Sequence, residues 1–198
     1  MKNNENFDVI VVGSGASGGW AAKEFCEAGF KVLVIDRGEP TIHKESYTNE
    51  FIEPWDRPFG DQVLPGERKK EYGVNAPYVS NLNARFYAKE KDWPYDKDSK
   101  NPFMWARPGA VGGKSLVWGR QVYRWSDLDF EANKKDGHGI DWPIRYKDIA
   151  PWYSYVEKFI GVQGSYENLP QLPDSEFMPA MELNYAEKIV KKGIEDNF

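Results

Sequence analysis

Two short apolar runs near the start of the chain flank a segment with helical spacing. Residues 7–12 and 32–35 are strand-length runs rich in Val and Ile, and apolar residues between them recur with a helical period. Gly29 follows the last apolar position of that segment and is expected to end the helix. The pattern predicts a β-α-β unit over residues 7–36, with the helix beginning near Ala16.

A long stretch with neither a helical nor a strand period follows this unit. From residue 38 to about residue 104, Pro, Gly, Asn and charged residues are interleaved with aromatic residues. Such a length without regular structure is typical of a functional lid, or of a surface that another segment covers. The pattern predicts an irregular, aromatic-rich, lid-like excursion over residues 38–104, in which the charge run 67–71 forms a solvated helix or turn.

Helical patterns return in the last third of the chain. Asp148 is expected to cap a helix that carries apolar side chains on one side and stops at Gly161. A polar, proline-bearing linker over 163–179 follows, and Asn184 is expected to cap a last helix. The fold class is therefore α/β, with C-terminal helices.

The number of strands predicts that this fold is incomplete. A dinucleotide-binding half normally has at least three parallel strands, and only two are plain here. We expect an incomplete part of a larger two-domain fold, truncated before most of its second domain. Residues 1–125 would form the Rossmann-like binding portion, and residues 126–198 a helical segment leading into a substrate domain that is largely missing.

The turn between the first strand and the helix carries a G-x-G-x-x-G pattern, and Asp36 follows the second strand. The first glycine allows a sharp turn, the second leaves room for a pyrophosphate, and the third lets helix and strand pack closely. The helix N-terminus would face the phosphates, and Asp36 could accept hydrogen bonds from a ribose. Asp36 would also repel a 2′-phosphate, although Arg37 could soften that repulsion. The predicted dinucleotide site comprises Gly13, Ser14, Gly15, Ala16, Ser17, Gly18, Asp36 and Arg37.

Charge and composition exclude several other classes. The formal net charge of −5 argues against a nucleic-acid surface and against attraction to anionic lipid. No apolar signal core precedes the first strand, so we expect a cytoplasmic protein without direct membrane insertion, with export on a partner subunit left open. The single cysteine, Cys26, excludes internal disulfides and is expected to be packed or half-exposed in the first helix.

A second glycine cluster over residues 107–119 is too glycine-rich for a buried strand and too apolar for a plain linker. Together with the first pattern, it resembles the second flavin-contacting segment of the glucose–methanol–choline (GMC) oxidoreductase family. Residues 141–161, with their Asp-Trp-Pro-Ile start, resemble the branch with pyranose oxidases, bacterial sugar or gluconate dehydrogenase large subunits and glycoside 3-dehydrogenases. The branch also includes fructose dehydrogenase large subunits.

This resemblance implies FAD, and a sugar, sugar acid or alcohol whose CH–OH group is oxidised by hydride transfer to the flavin. An electron-transfer partner subunit is a further expectation. Some relatives attach FAD through a histidine in the second loop, where this chain has Val117, so the FAD is expected to be non-covalent. The resemblance adds to the cofactor site Arg107, Gly112, Gly113, Ser115, Val117 and Trp118.

The resemblance leaves the catalytic base outside this chain. Members of the family carry a histidine base near the end of a much longer chain, and nothing here corresponds to that segment. His43 and His138 are the only histidines, and neither lies in a matching motif. We expect the base beyond Phe198, no metal site, and no turnover by these residues alone.

Two alternatives stay open at this stage. The chain could be a non-catalytic nucleotide-binding module or pseudo-enzyme subunit. Only an intact longer chain would distinguish such a module from an enzyme. It could also be an NAD-dependent dehydrogenase, if the first motif alone is considered. The second glycine cluster disfavours NAD, because a nicotinamide enzyme has no need of a second glycine segment placed this way.

Overall fold

The computed structural model describes residues 6–47, 51–94, 96, 98, 100–101 and 105–198, apart from the side chains of residues 74–76. The polar start over residues 1–5, and residues 102–104 at the end of the predicted excursion, lie outside the described residues. The chain forms two compact units, one ending at Gly119 and one beginning at Arg120. The division into functional domains at residue 125 stays a prediction.

The first unit opens with strand β1 (Val9–Val12), helix α1 (Ala16–Glu27) and strand β2 (Val32–Ile35). The two strands pair in parallel over their whole length. Gly29 has a φ of +89° and its N–H donates to the Cys26 carbonyl at 3.0 Å, so it ends the helix as predicted. This arrangement is compatible with the predicted α/β, Rossmann-like class.

The sheet formed by β1 and β2 buries little of its apolar surface. In the described part of the chain the two strands pair only with each other. Val11 is buried, but Ile10 and Val12 are 61% and 82% exposed, and α1 contains no buried residue. Cys26 is exposed, which excludes the packed one of the two positions that were expected. Its side chain lies on a helix surface that nothing in the described chain covers.

Short helices and turns make up the described part of the excursion. Helix α2 (Pro65–Tyr72) contains the charge run, which confirms the predicted solvated helix. A small hydrophobic core formed by Val63, Tyr72, Val79 and Tyr87 holds these turns together. Single-turn 3₁₀ helices cover Pro54–Asp56, Pro58–Asp61 and Ala84–Phe86, and a longer one covers Gly73–Tyr78.

Four helices and a small parallel sheet form the second unit. The helices are α3 (Asp127–Phe130), α4 (Ala132–Asp136), α5 (Tyr146–Ile160) and α6 (Tyr185–Glu195). The predicted linker over 163–179 is not a simple connection, because its two ends pair as strands β3 (Gln163–Gly164) and β4 (Met178–Pro179). No helix in the described residues is long and apolar enough to cross a membrane.

The ends of the two long helices were predicted with mixed success. The Asn184 side chain accepts a hydrogen bond from the Glu187 N–H at 3.0 Å, so the predicted cap of α6 is confirmed. Gly161, with a φ of +72°, ends α5 as expected. Asp148 does cap α5, but from the third helical position and not as the predicted N-cap residue: the helix begins at Tyr146, and the Asp148 carboxylate accepts from the Arg145 N–H at 2.8 Å.

A buried ion pair holds the middle of the second unit. The Arg124 and Glu157 side chains are only 6% and 1% exposed. Arg124 Nε donates to Glu157 Oε1 at 2.9 Å, and its other nitrogens donate to the Tyr146 hydroxyl at 2.9 Å and to Ser154 Oγ at 3.1 Å. Burial by itself would raise the pKa of the Glu157 carboxyl, but hydrogen bonds from Arg124 and from the Glu176 N–H hold that pKa below its usual value.

Candidate functional site

The two glycine-rich loops meet within the first unit. The Gly112 N–H donates to Ser14 Oγ at 2.8 Å, across 98 positions of sequence. Gly113 lies so close to the first loop that a Cβ built on it would be 3.3 Å from Gly15 Cα. We call this contact region the glycine junction; it comprises residues 13–18, 36–39 and 109–113.

Ser14 connects the junction to the acidic residue at the end of β2. The Ser14 N–H and Oγ–H each donate to Asp36 Oδ2 at 2.7 Å. The Gly38 N–H donates to Asp36 Oδ1 at 2.6 Å. The hydrogen bond from the Ser14 hydroxyl, followed by those from the Ser14 and Gly38 N–H groups, holds the pKa of Asp36 below its usual value. Asp36 is therefore a carboxylate at neutral pH and a strong hydrogen-bond acceptor.

The second loop also forms backbone hydrogen bonds to the segment that follows β2. The Glu39 N–H donates to the Gly109 carbonyl at 2.8 Å, and the Val111 N–H donates to the Glu39 carbonyl at 2.9 Å. A Cβ on Gly38 would lie 2.5 Å from the Ala110 carbonyl carbon, so only glycine permits this approach. Sequence reasoning missed Gly38, although a glycine two positions after the acidic residue was a visible signal.

The first loop packs tightly on one side and is open on the other. A Cβ on Gly18 would lie 1.8 Å from the Gly13 carbonyl oxygen, which confines that helix position to glycine. A Cβ on Gly15 would meet no atom within 4 Å. Helix α1 begins after Gly15 without a side-chain cap, so its first N–H groups are available to an anion. The fit of a pyrophosphate is supported by this open space beside an uncapped helix start.

The remaining predicted site residues of the first loop, and the one that follows Asp36, lie within the junction. Ala16 and Ser17 are exposed in the first turn of α1. Arg37, directly after Asp36, is exposed, and its guanidinium carbon lies 4.3 Å from the centre of the Trp93 ring. No sequence pattern indicates this contact with Trp93, because the two residues are far apart along an irregular segment.

The remaining predicted residues of the second loop have different surroundings. Ser115 Oγ donates to the Gly112 carbonyl at 2.6 Å, which ties it to the junction. Arg107 is buried, with its guanidinium carbon 5.5 Å from the centre of the Trp105 ring. Val117 packs against the hydrophobic core of the excursion, and Trp118 is 45% exposed. The cofactor roles of these residues stay predictions.

The two histidines have ordinary local contacts. The His43 ring meets the Tyr47 ring edge-on at a centroid distance of 5.6 Å, and the His138 N–H donates to the Asn133 carbonyl at 3.1 Å. These contacts assign neither histidine a catalytic role. Among the residues that the structure describes, His, Cys, Asp and Glu side chains form no group of three that could hold a metal ion.

Comparison with known proteins bears directly on the first loop. A family model described as an FAD binding domain matches residues 8–45, which include β1, α1, β2 and Asp36. This match covers the part of the glycine junction that was predicted to bind a dinucleotide.

Characterised relatives align with most of the chain at low identity. The fructose dehydrogenase large subunit of Gluconobacter japonicus is 23% identical over 183 residues, which are 90% of this chain and 32% of that protein. The 2-methyl-1,2-propanediol dehydrogenase of Mycolicibacterium austroafricanum is 25% identical over 169 residues, 84% of this chain and 26% of that protein. The gluconate 2-dehydrogenase flavoprotein of Pantoea cypripedii is 26% identical over 171 residues, 80% of this chain and 26% of that protein.

The chain therefore spans about a third or less of the length of these relatives. Their names fit the branch of the GMC family that residues 107–119 and 141–161 indicate. The predicted cofactor is confirmed as FAD by the family model and by a relative that is named as a flavoprotein. The chain fits the GMC-like branch of FAD-dependent oxidoreductases, as its sequence motifs predict.

Proposed function

We propose that this chain is the FAD-binding part of an oxidoreductase that acts on the CH–OH group of a sugar, a sugar acid or an alcohol. The observation that carries the proposal is the hydrogen-bonded connection from Gly112 through Ser14 to Asp36. It joins two glycine loops that are distant in sequence to an acidic residue, beside the open position at Gly15. The substrate class is supported by the names of the relatives, which include a fructose and a propanediol dehydrogenase.

Different residues of the junction would contact different parts of FAD. Gly15 and the uncapped start of α1 would receive the pyrophosphate, because they combine open space with backbone N–H donors. Asp36 would accept hydrogen bonds from the adenosine ribose, because it is a carboxylate at the end of β2. Gly112 and Gly113 would contact the cofactor from the second glycine loop. Ser115 would stabilise that loop through its hydrogen bond to the Gly112 carbonyl.

Catalysis also needs a group that this chain does not supply in a matching motif. The chemistry that FAD would supply when bound is acceptance of a hydride from the substrate carbon. The hydroxyl proton must leave at the same carbon–oxygen bond, so that the alcohol becomes a carbonyl, and a general base must take that proton. We place that base in a further part of a larger two-domain protein, together with the substrate pocket and any contact with an electron-transfer partner.

The proposal is tested by cofactor binding and by turnover. The complete gene product should retain flavin through gel filtration, with the absorption spectrum of FAD, and added NAD should not displace it. It should oxidise a sugar or alcohol with an artificial electron acceptor, whereas residues 1–198 alone should not. A complete gene product that keeps FAD but oxidises no such substrate would instead be a non-catalytic binding module.

A matched pair of glycine variants links that binding to the junction. A Cβ on either Gly15 or Gly66 meets no atom within 4 Å, and Gly66 lies in α2, outside the junction. Gly15→Ala should weaken FAD binding because its methyl group enters the space of the pyrophosphate, whereas Gly66→Ala should not. Equal FAD affinity in both variants would contradict the placement of the pyrophosphate.

A further inference from the structure

Trp93 and Arg37 form a stacked pair at the edge of the glycine junction. The Arg37 guanidinium carbon lies 4.3 Å from the centre of the Trp93 ring. Trp93 is half-buried, and its backbone N–H donates to the Lys89 carbonyl at 3.1 Å, which holds the backbone of this residue in a turn near the end of the excursion. Arg37 remains exposed at the end of β2, so it is available to a ligand.

Stacking on an aromatic ring changes what an arginine can do. A guanidinium group is planar, and an aromatic ring beneath it restricts the orientations that the long side chain can take. The group then offers a flat, positively charged surface at a defined place. Nucleobases stack on arginine planes and aromatic rings, because each base has a polarisable flat face. The chemistry of this pair therefore favours a heteroaromatic base as its ligand.

The position of the pair identifies which base that is. Arg37 is the residue directly after Asp36, the proposed acceptor of the adenosine ribose hydroxyls. In FAD this ribose carries adenine, whereas the flavin is attached at the other end of the pyrophosphate. A residue next to the ribose acceptor is thus at the adenine end of the cofactor. Trp93 enters that end from the excursion, which gives the excursion a role in binding FAD.

We propose that Arg37 stacks on the adenine of FAD, and that Trp93 is a positioning residue which holds Arg37 for that contact. This inference rests on the proposed FAD-binding function and extends it to a residue outside both glycine motifs. It also implies that the excursion contributes to specificity for an adenine nucleotide, through an aromatic side chain that the glycine patterns do not reveal.

The first experiment measures FAD affinity in the complete gene product after its flavin has been removed. Trp93→Ala leaves the long Arg37 side chain to be ordered by the ligand, so it should raise the Kd for FAD by about 2- to 12-fold in a fluorescence titration. Trp93→Phe should stay near the wild-type Kd, because it keeps an aromatic face. Trp55→Ala is the matched control, since Trp55 lies in the same unit and is 79% exposed; its Kd should not change.

A second measurement separates adenine binding from general damage to the fold. ADP contains the adenine end of FAD without the flavin, so it should compete with FAD for the wild-type protein and compete less well for Trp93→Ala. Arg37→Gln should show the same loss, and the double variant should bind no more weakly than Arg37→Gln alone, because both changes remove one contact. The melting temperature of the flavin-free protein should be similar in all variants.

The outcomes distinguish this inference from the proposed function. If the wild-type protein binds FAD, and Trp93→Ala binds both FAD and ADP as tightly as the wild type does, the adenine contact is wrong and the proposed function stands. If Trp93→Ala fails to fold, Arg37→Gln decides the question, because wild-type ADP affinity in that variant would overturn the inference. If the wild-type protein binds no FAD, the proposed function itself fails.

Discussion

Different kinds of interaction stabilise the interior of each of the two units of this protein. In the glycine junction, backbone N–H groups and glycine positions make the contacts, and the short Ser14 and Asp36 side chains connect them. In the second unit, a buried Arg124–Glu157 pair is surrounded by donors and acceptors from several elements. The first arrangement leaves the Gly15 position open beside the uncapped start of α1, whereas the second joins two buried side chains through a network of hydrogen bonds.

This difference explains why only one of the two regions was recognisable from sequence. Glycine spacing at a strand–helix turn reports a backbone shape, and an acidic residue after the next strand reports a ribose acceptor. Arg124 and Glu157 are 33 positions apart and carry no spacing rule, although the structure buries both. A glycine-dependent backbone shape thus leaves a pattern in the chain, while a structural ion pair does not.

The largest expected effect comes from breaking the buried ion pair. Glu157→Gln should lower the free energy of unfolding by about 3–5 kcal/mol, because it leaves the Arg124 charge buried without its counter-charge. Glu176→Gln is the control: its ion pair with Lys158 is exposed and should be worth about 1 kcal/mol or less. Urea unfolding of the complete gene product measures both. Equal stability of the two variants would show that the pair does not hold the second unit.

The same pair predicts how stability depends on pH. The pKa of Glu157 is lowered in the folded protein, so its contribution is fully present above the unfolded pKa. That contribution is lost as the pH falls through the lower, folded pKa. Acid unfolding curves should therefore lose a steep component in Glu157→Gln, and they should keep it in Glu176→Gln. A wild-type pH dependence in Glu157→Gln would assign the acid sensitivity to other carboxylates.

A smaller effect is expected from crowding the turn between β1 and α1. Gly18→Ala would place a Cβ 1.8 Å from the Gly13 carbonyl oxygen and should cost about 1–3 kcal/mol by overpacking. Gly19→Ala is a control in the same helix, because its Cβ would lie 3.9 Å from the Ser14 carbonyl oxygen, an ordinary contact. Thermal unfolding should separate them, with Gly18→Ala also losing FAD. Similar melting temperatures would mean that the turn can relax.

Removing the Asp36 charge should have a moderate effect on stability and a clear one on FAD. Asp36→Asn weakens hydrogen bonds from Ser14 and Gly38 and should cost about 1.5 kcal/mol in stability. Asp8→Asn is the control, since the Asp8 carboxylate accepts from the Lys31 N–H at 2.8 Å in the same unit. Only Asp36→Asn should raise the Kd for FAD, by about tenfold. Equal FAD affinity in the two variants would remove Asp36 from the site.

The smallest expected effect concerns the hydrogen bond between Ser115 and Gly112 inside the second loop. Ser115→Ala removes a single exposed hydrogen bond to the Gly112 carbonyl and should cost about 0.5–1 kcal/mol. Thermal unfolding of the flavin-free protein measures this loss. A loss of FAD affinity beyond tenfold, without a matching loss of stability, would mean that Ser115 contacts the cofactor directly, as the family resemblance implies.

Local chemistry determined the parts of the structure that the sequence predicted well. The β-α-β unit, the end of α1 at Gly29 and the cap of α6 at Asn184 each depend on residues within a few positions of one another. Local signals did not separate two positions for Asp148, because an acidic side chain can cap a helix either as the N-cap residue or from the third helical position. Helix position alone does not say what covers a helix, so the structure was needed to decide between a packed and an exposed Cys26.

The sequence by itself determined that this protein has a dinucleotide fingerprint and a second glycine loop, because glycine spacing encodes backbone shapes that other residues resist. Only the tertiary structure decided that Ser14 joins these loops, that Gly38 touches Ala110, and that Trp93 lies under Arg37. Each of these contacts joins residues that the path of the intervening chain brings together. That path depends on packing over many residues, and no short pattern records it.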